Sequence, residues 1–594
     1  MTHPAIHIMS FSKRFLTAVV ALSALGIAAC GDDNGGTTAP VLTPPLGVQA
    51  TATGLTSIRV QFNGTAGDNS YEIERAEGAT GAFAIATTVQ APAAGGPVTY
   101  DDTGLKVQTQ YRYRVTAVRG SQRSSASGET IASTLAFGAA GRIDVTTDIT
   151  ANTTWTADKV YILKGFIHVA NGATLTIEPG TRIEGDFNTL GASLFVLRGA
   201  KINAVGRADA PIVFTSSRPA GQRQPGDWGG LIIVGNATLN RTGVEIELEG
   251  TNTAAGTTSG TNYKVTYSGG TTDTDNSGEL RYVRVEFAGY APSLNNELNS
   301  FTFAAVGSGT KLSYLQSMAG LDDSFEFFGG AVDASYLVSY EAGDDHFDMS
   351  EGYRGRLQNV IALQTTQLTP RTGAGAPSSD PQGIENDGCE GAGCQLGRNS
   401  TPFTTPLVAN FTLVGTGNTA TSGSSGGVGM MLRRGVGGWY VNGIVARWAR
   451  AAVSLRDAET YVRAGSTATP DLATADLAVR NILMVENAAT FQAQSGSTVQ
   501  NALDLAANAL EAPAGVTTAA TFTAFPATVD ASTTASAFDW APAAGSAAAS
   551  GGLATFTGRL ATVAGGAVSG TAYRGAVNPA GPKWFQGWTT YARN

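Results

Sequence analysis

Between Asp322 and Glu351 the chain carries nine acidic residues and no Lys or Arg. Their spacing is regular. Sliding the segment by 22 residues places Asp322 on Asp344, Asp323 on Asp345, Phe325 on Phe347, Glu326 on Asp348, Gly330 on Gly352 and Val338 on Val360. A short apolar β-run and a turn recurring at this interval read as coils of a parallel β-helix, in which each copy buries its apolar side against its neighbours. Equivalent positions in successive coils then lie about 4.8 Å apart. Such stacking makes a carboxylate ladder. Stacked carboxylates repel unless a cation, a hydrogen-bond donor or a raised pKa intervenes. An acidic run is ordinarily a solvated face with Asp side chains capping turns. A hard cation on Asp322, Asp323, Asp344, Asp345 and Asp348 is the sharper expectation, and a catalytic acid pair is a third. Oxygen-only donors favour Ca²⁺ over Zn²⁺.

The elements that must hold these acids follow from composition. The chain has 594 residues, of which 75 are Gly, and only 14% are charged. Such a balance favours turn-rich β architecture. The net charge of −9 comes without a basic patch, which argues against nucleic acid as a partner.

The first thirty residues read as a targeting segment. Lys13 and Arg14 precede an apolar run that ends at Cys30. Ile27-Ala28-Ala29-Cys30 resembles a bacterial lipobox, which implies lipid on Cys30 and a membrane-tied N-terminus. Gly31 after it implies the outer membrane, on its surface or periplasmic face. Cys389 and Cys394 are the only other cysteines, and with four intervening residues they predict a small disulfide loop.

Residues 31–43 form a flexible tether, and residues 44–135 show short alternating strands. Pro45, Val48, the Ile58-Val60-Phe62 alternation, the YEIERA strand from Tyr71, and Leu105 with Tyr111 resemble a fibronectin type III domain. The usual Trp of the second strand is replaced, with Phe62 in its place. From residue 136 to 594 the apolar runs are β-branched and separated by Gly, Asn, Asp and Pro, as in a parallel β-helix. Ile177 and Val196 suggest a coil spacing of 19 there. Residues 250–278 and 366–405 read as loops leaving the coil. Residues 498–512 read as a helix lying on its side, and Trp584, Phe585, Trp588 and Tyr591 as an aromatic cap on the open end.

The strings LTIEPGTRIEG, GDWGGLIIVGNA, DDSFEFFGGAVDASYLVSY, GDDHFDMSEGYRG and the ending YRGAVNPAGPKWFQGWTTYARN resemble a family of bacterial envelope lipoproteins. That resemblance implies a right-handed β-helix carried with a fibronectin module, in an all-β chain. Gly343-Asp344-Asp345 loosely resembles the paired-Asp segment of polygalacturonase-like hydrolases, without their accompanying strings. Pectate-lyase-like enzymes pair a carboxylate-held Ca²⁺ with a basic residue, a role open here to Arg354 or Arg356. Trp228, Trp439 and Tyr440 are candidates for stacking on sugars or for covering the core. His346 is expected to be structural, and Arg433 and Arg434 to pair with acids at a coil corner.

These readings point to a non-catalytic, lipid-anchored envelope protein that presents its β-helix to a polysaccharide or to surface proteins. The alternative is a polysaccharide lyase or glycoside hydrolase that uses the acids of residues 322–351. The anchor makes the first prediction. Cys30→Ala abolishes incorporation of labelled fatty acid and moves the protein from the membrane to the soluble fraction; persistent labelling of the variant contradicts it.

Overall fold

A computed structural model describes residues 42–251, 264–293, 296–379, 381–417, 427–465, 474–492, 503–530 and 532–591. The leader, Cys30 and nearly all of the tether lie outside these residues. The chain folds as a fibronectin-type sandwich followed by a parallel β-helix.

In the sandwich, Leu46–Ala52, Ser57–Gly64 and Gly96–Thr103 form one antiparallel sheet. A second sheet of five strands is centred on Ser70–Glu77 and Gln110–Arg119. Alternation decides which side is buried: Ile58, Val60 and Phe62 point inward to meet Tyr71, Ile73 and Val115. Phe62 is 3% exposed and packs edge-on against Tyr71 at 4.9 Å, filling the position expected of it. The Tyr111 hydroxyl accepts a hydrogen bond from the Lys106 backbone N–H at 3.0 Å, which is the expected tyrosine corner.

The β-helix begins at Arg142–Val145, and parallel strands continue to Leu483–Val485. A nine-stranded sheet runs from Phe166–Val169 to Ala451–Leu455, and the strands of the larger sheet complete each coil. Parallel pairing sets like residues over like. Inside the coil Phe301, Phe325 and Phe347 stack at 4.9 and 5.3 Å, and Phe303 stacks on Phe327 at 5.1 Å.

Besides second bends at Ala319 and Glu341, the coils of the larger sheet share a bend at one residue in the left-handed backbone region. Those residues stack into a single column: Tyr282, Tyr314, Tyr336, Asn359, Asn410, Asn442 and Asn481, with φ between 49° and 62°. Asn tolerates this conformation better than other residues with a Cβ. The tyrosines are held there by mutual stacking at 4.4 and 4.5 Å.

Several expectations are corrected. Val338 does not lie over Val360; Leu337 does, and Val338 pairs with Ile361. Asp333 and Arg356 are 23 residues apart, so this coil is one residue longer than its predecessor. The spacing of 19 fails because Val196 lies over Val169 and Ile177 over Ala204. Residues 366–405 are not all loop, since Gln382–Asp387 is a coil strand between Phe347–Ser350 and Val428–Arg433. Its short polar sequence, QGIEND, hides it: only Ile384 is apolar.

The expected helix at 498–512 is absent over its described part. Residues 505–509 form a turn, Leu503 and Leu510 reach into the core, and Glu511 bridges to Leu483. Residues 498–502 lie outside the described residues. The aromatic tail does not cap the open end. It lies on the outer face of the larger sheet, where Trp588 packs edge-on to Tyr282 and Trp584 to Tyr336. Gln316 holds the Thr590 backbone at both its N–H (2.8 Å) and its carbonyl (2.6 Å). The stacked tyrosines offer a broad apolar surface, and the tail covers it.

The asparagine part of the column binds this same C-terminal cover. Asn410 Nδ2 donates to Thr571 Oγ1 at 2.7 Å and to the Gly575 carbonyl at 3.2 Å. Asn410→Ala loses these bonds and places an alanine at φ 54°, so it costs on the order of 3 kcal/mol in denaturant unfolding. Asn410→Gly, which relieves the backbone but not the hydrogen bonds, costs less; equal losses for the two variants contradict this account.

Candidate functional site

The five predicted aspartates come together. On the outer face of the nine-stranded sheet, Glu326, Asp348 and Glu385 stand in register on three adjacent strands. At the turn that enters these strands, Asp322 and Asp323 of one coil meet Asp344 and Asp345 of the next. Glu249 reaches in from the excursion between Leu231–Val234 and Gly278–Glu286, and Glu297 from the connection between Gly278–Glu286 and Phe301–Ala304. Together these nine carboxylates line an open cleft of about 780 Å³, whose other wall is residues 375–379. No Lys or Arg is among its lining residues.

The turn that carries Asp323 and Asp345 has its own backbone logic. Asn299 Oδ1 accepts the Asp323 N–H at 3.1 Å, and Asp323 Oδ1 accepts the Asp345 N–H at 2.8 Å. Asp345 Oδ1 then accepts the Gln382 N–H at 2.5 Å, and Gln382 Oε1 the Val428 N–H at 2.9 Å. One side-chain oxygen per coil therefore satisfies the next coil's turn. Asn299 and Gln382 do this as neutral amides, whereas Asp323 and Asp345 do it as acids. Asp323 and Asp345 thus bond turns as the bland expectation has it, but they are not part of a solvated face, being only 6% and 4% exposed.

Packing so many acids together has an electrostatic cost. Burial, then Asp323 and Glu249, hold Asp322 well above the usual carboxylate range. Burial, then Asp344 and Glu385, do the same to Asp345. Burial, then Asp348, raises Glu326; burial, then Asp323 and Glu385, raises Asp348. Glu249 is pushed up to about 7 by burial and by Glu297.

The donor set fits a hard cation. Four groups of three carboxylates have their oxygens within 4.8 Å of one another: Glu249/Glu297/Asp322, Asp322/Asp323/Asp344, Asp323/Glu326/Asp348 and Asp345/Asp348/Glu385. Asp348 Oδ1 is buried without a hydrogen-bond partner among the described residues. An all-oxygen set of this kind suits Ca²⁺.

The other candidates fall elsewhere. Arg354 pairs with Asp273 at 2.9 Å and Arg356 with Asp333 at 2.5 Å, and neither lines the cleft. Arg433 pairs with Asp387 at 2.8 Å and with Glu385, and Arg434 with Asp387, at a coil corner as expected. Trp228, Trp439 and Tyr440 are all but fully buried and offer nothing to a sugar. His346 lies inside the coil with Nδ1 2.5 Å from Ser339 Oγ, and burial pushes its pKa down to about 3. Cys389 and Cys394 form the expected disulfide.

Four cleft acids were not singled out from the sequence. Glu326 was visible as the partner of Asp348 in the 22-residue slide. Glu385 lies beyond an excursion that lengthens its coil, so no fixed period reaches it. Glu249 and Glu297 come from outside the repeat and carried no signal.

Comparison with known proteins bears on this site. The pectate-lyase-like β-helix domain matches residues 147–537, well over half of the chain and all of the carboxylate cluster. The chain belongs to that family. Members share the β-helix just described, here with a fibronectin-type module in front of it. A search of the curated proteins finds no match. Among solved structures, an Fn3-like protein from Clostridium thermocellum is 27% identical, covering 15% of this chain and 88% of its own, with a TM-score of 0.13. The FN5 domain of Drosophila Lar is 23% identical, covering 16% and 98%, with a TM-score of 0.14. At such TM-scores these likenesses carry no weight; the sandwich stands on its strand pairing.

The raised acids make a second prediction about this β-helix. A carboxyl whose pKa is raised on folding stabilises the protein while protonated, and loses that contribution as pH climbs through the folded value. Without a cation, the melting temperature therefore falls as pH rises from about 4 through about 7, where Glu249 titrates. Asp345→Asn, which continues the amide pattern of Asn299 and Gln382, melts higher than wild type in chelator at pH 8. A flat pH profile in chelator, or a lower melting temperature for the variant, contradicts this.

Proposed function

We propose that this is a lipid-anchored protein of the bacterial envelope whose β-helix binds polysaccharide without cleaving it, at a cleft that holds Ca²⁺. The observation that carries the reading is the open cleft with nine carboxylates and no cationic side chain in its lining. Left bare, such a surface repels an acidic glycan and gives a neutral one few donors. Loaded, it does neither. Asp322, Asp323, Asp344, Asp345 and Asp348 would hold the ion, with Glu326 and Glu385 in register beside them. The ion supplies neutralisation of the buried carboxylates and positive charge facing the cleft. The family's pectate-lyase-like fold supports a polysaccharide as the partner, and the resemblance at Ile27-Ala28-Ala29-Cys30 supports the membrane tether.

A second reading, as a polysaccharide lyase or glycoside hydrolase, has one observation in its favour. Carboxyls held well above their usual range sit within a few ångströms of others, as an acid and base pair requires. It lacks an uncommitted basic residue at the cleft, since Arg354 and Arg356 pair elsewhere and Arg433, which reaches Glu385, is held by that acid and by Asp387.

One experiment separates these readings. The mature protein is incubated with a panel of acidic and neutral glycans, with Ca²⁺ or with chelator, and both binding and new unsaturated or reducing ends are measured. We expect binding that chelator weakens at least tenfold, and no products. Products that disappear in Asp345→Asn establish the enzyme instead. Binding and melting temperature that are both indifferent to Ca²⁺ and chelator overturn the cation.

A further inference from the structure

A second open groove, of about 510 Å³, lies on the outer face of the larger sheet, away from the acidic cleft. Its floor is the outward side of four successive coils. In one column Glu279, Lys311 and Asp333 stand in register, followed by Arg356, so charge alternates from coil to coil. Beside it runs a column of small hydroxyls, Ser313 over Ser335. The stacked rings of Tyr314 and Tyr336 form one wall, and Ala567 and Val568 of the C-terminal cover contribute to the lining.

We propose that this groove binds a linear, neutral polysaccharide lying along the axis of the β-helix. The argument rests on period and on charge. Coils repeat at the strand spacing, about 4.8 Å, so a chain lying along the axis meets the groups of one coil after another. Asp333 and Arg356 are bonded to each other, which leaves Glu279 and Lys311 as one acceptor and one donor on neighbouring coils, what a polyhydroxylated chain needs. A polyanion would instead meet a carboxylate at every second coil. The binding groups are also available: Lys311 and Arg281 are exposed on the strand faces, and Ser313 and Ser335 are only half-buried. Arg281 lies over the ring of Tyr282 at 5.4 Å and braces the tyrosine wall from its far end. None of this draws on the carboxylate cleft or its ion.

The test is calorimetric titration of the full chain with cellohexaose and mannohexaose, with hexagalacturonate as the acidic comparison. In chelator, which leaves the acidic cleft without its ion, wild type is expected to bind at least one neutral oligomer more tightly than hexagalacturonate. Glu279→Ala/Lys311→Ala, both surface changes, weakens that binding at least tenfold with the melting temperature unchanged. Ser335→Trp, which fills the groove, abolishes it. Asp344→Asn/Asp345→Asn and added chelator leave it intact, which separates this groove from the cleft. The proposal is overturned if wild type binds neither neutral oligomer, if it prefers hexagalacturonate in chelator, if the groove variants bind as wild type does, or if binding is lost with the cleft variant or chelator.

Discussion

Strict in-register stacking of parallel coils is the constraint on which the rest of this molecule depends. A solenoid coil cannot bury its apolar side alone, so each position is judged by what lies one coil above and below it. Where the position points inward, the rule rewards repetition, as in the Phe301, Phe325 and Phe347 stack. Where the backbone must bend, it selects residues that bear a left-handed conformation, and the Asn column from Asn359 to Asn481 is the result. Where the position points outward, the same rule brings like charges together.

The carboxylate cleft is that last case. Glu326, Asp348 and Glu385 occupy one outward column of a sheet whose inward columns are filled with Phe, Met and Ile. The register cannot move to relieve their repulsion, because a one-residue slip would turn those apolar side chains out of the core. The aromatic interior thus holds the acids at close quarters. Asp323 and Asp345 add a second layer to the problem, since each is also the hydrogen-bond acceptor for the turn of the coil above. Their charge and their structural duty are carried by the same carboxyl, and the neighbouring Asn299 and Gln382 show that the duty does not require the charge.

How much of this was legible beforehand depends on whether the information was local. The fibronectin module was, down to Phe62 and Tyr111, because alternation and a corner tyrosine are written in consecutive residues. The acid ladder was legible for the two coils whose lengths agree, and Asp322, Asp323, Asp344, Asp345 and Asp348 do come together there. The reading slipped at Val360, where one extra residue enters the coil, and it lost Gln382–Asp387 altogether behind an excursion. Periodicity cannot cross an insertion of unknown length. Glu249 and Glu297 reach the cleft from segments outside the repeat, so only the three-dimensional path reveals them. The C-terminal aromatics were read as a cap on the open end, because a sequence does not say which surface is left bare until the coils are stacked.

That cover changes the kind of object the solenoid is. A bare array of coils holds together through nearest neighbours and can fray from either end. Here Arg284 donates to the Trp588 carbonyl at 2.9 Å and Asn481 to the Gly551 carbonyl at 2.9 Å. The same short tail therefore straps coils near the start of the long stack to coils near its finish. Local opening of any one of them must break the strap as well as its two neighbours, so the array behaves as one cooperative body. The order of synthesis adds to this, since the strap is made after every coil that it covers. Each nascent coil must wait with its tyrosine or asparagine face bare until residues 551–591 arrive to close it.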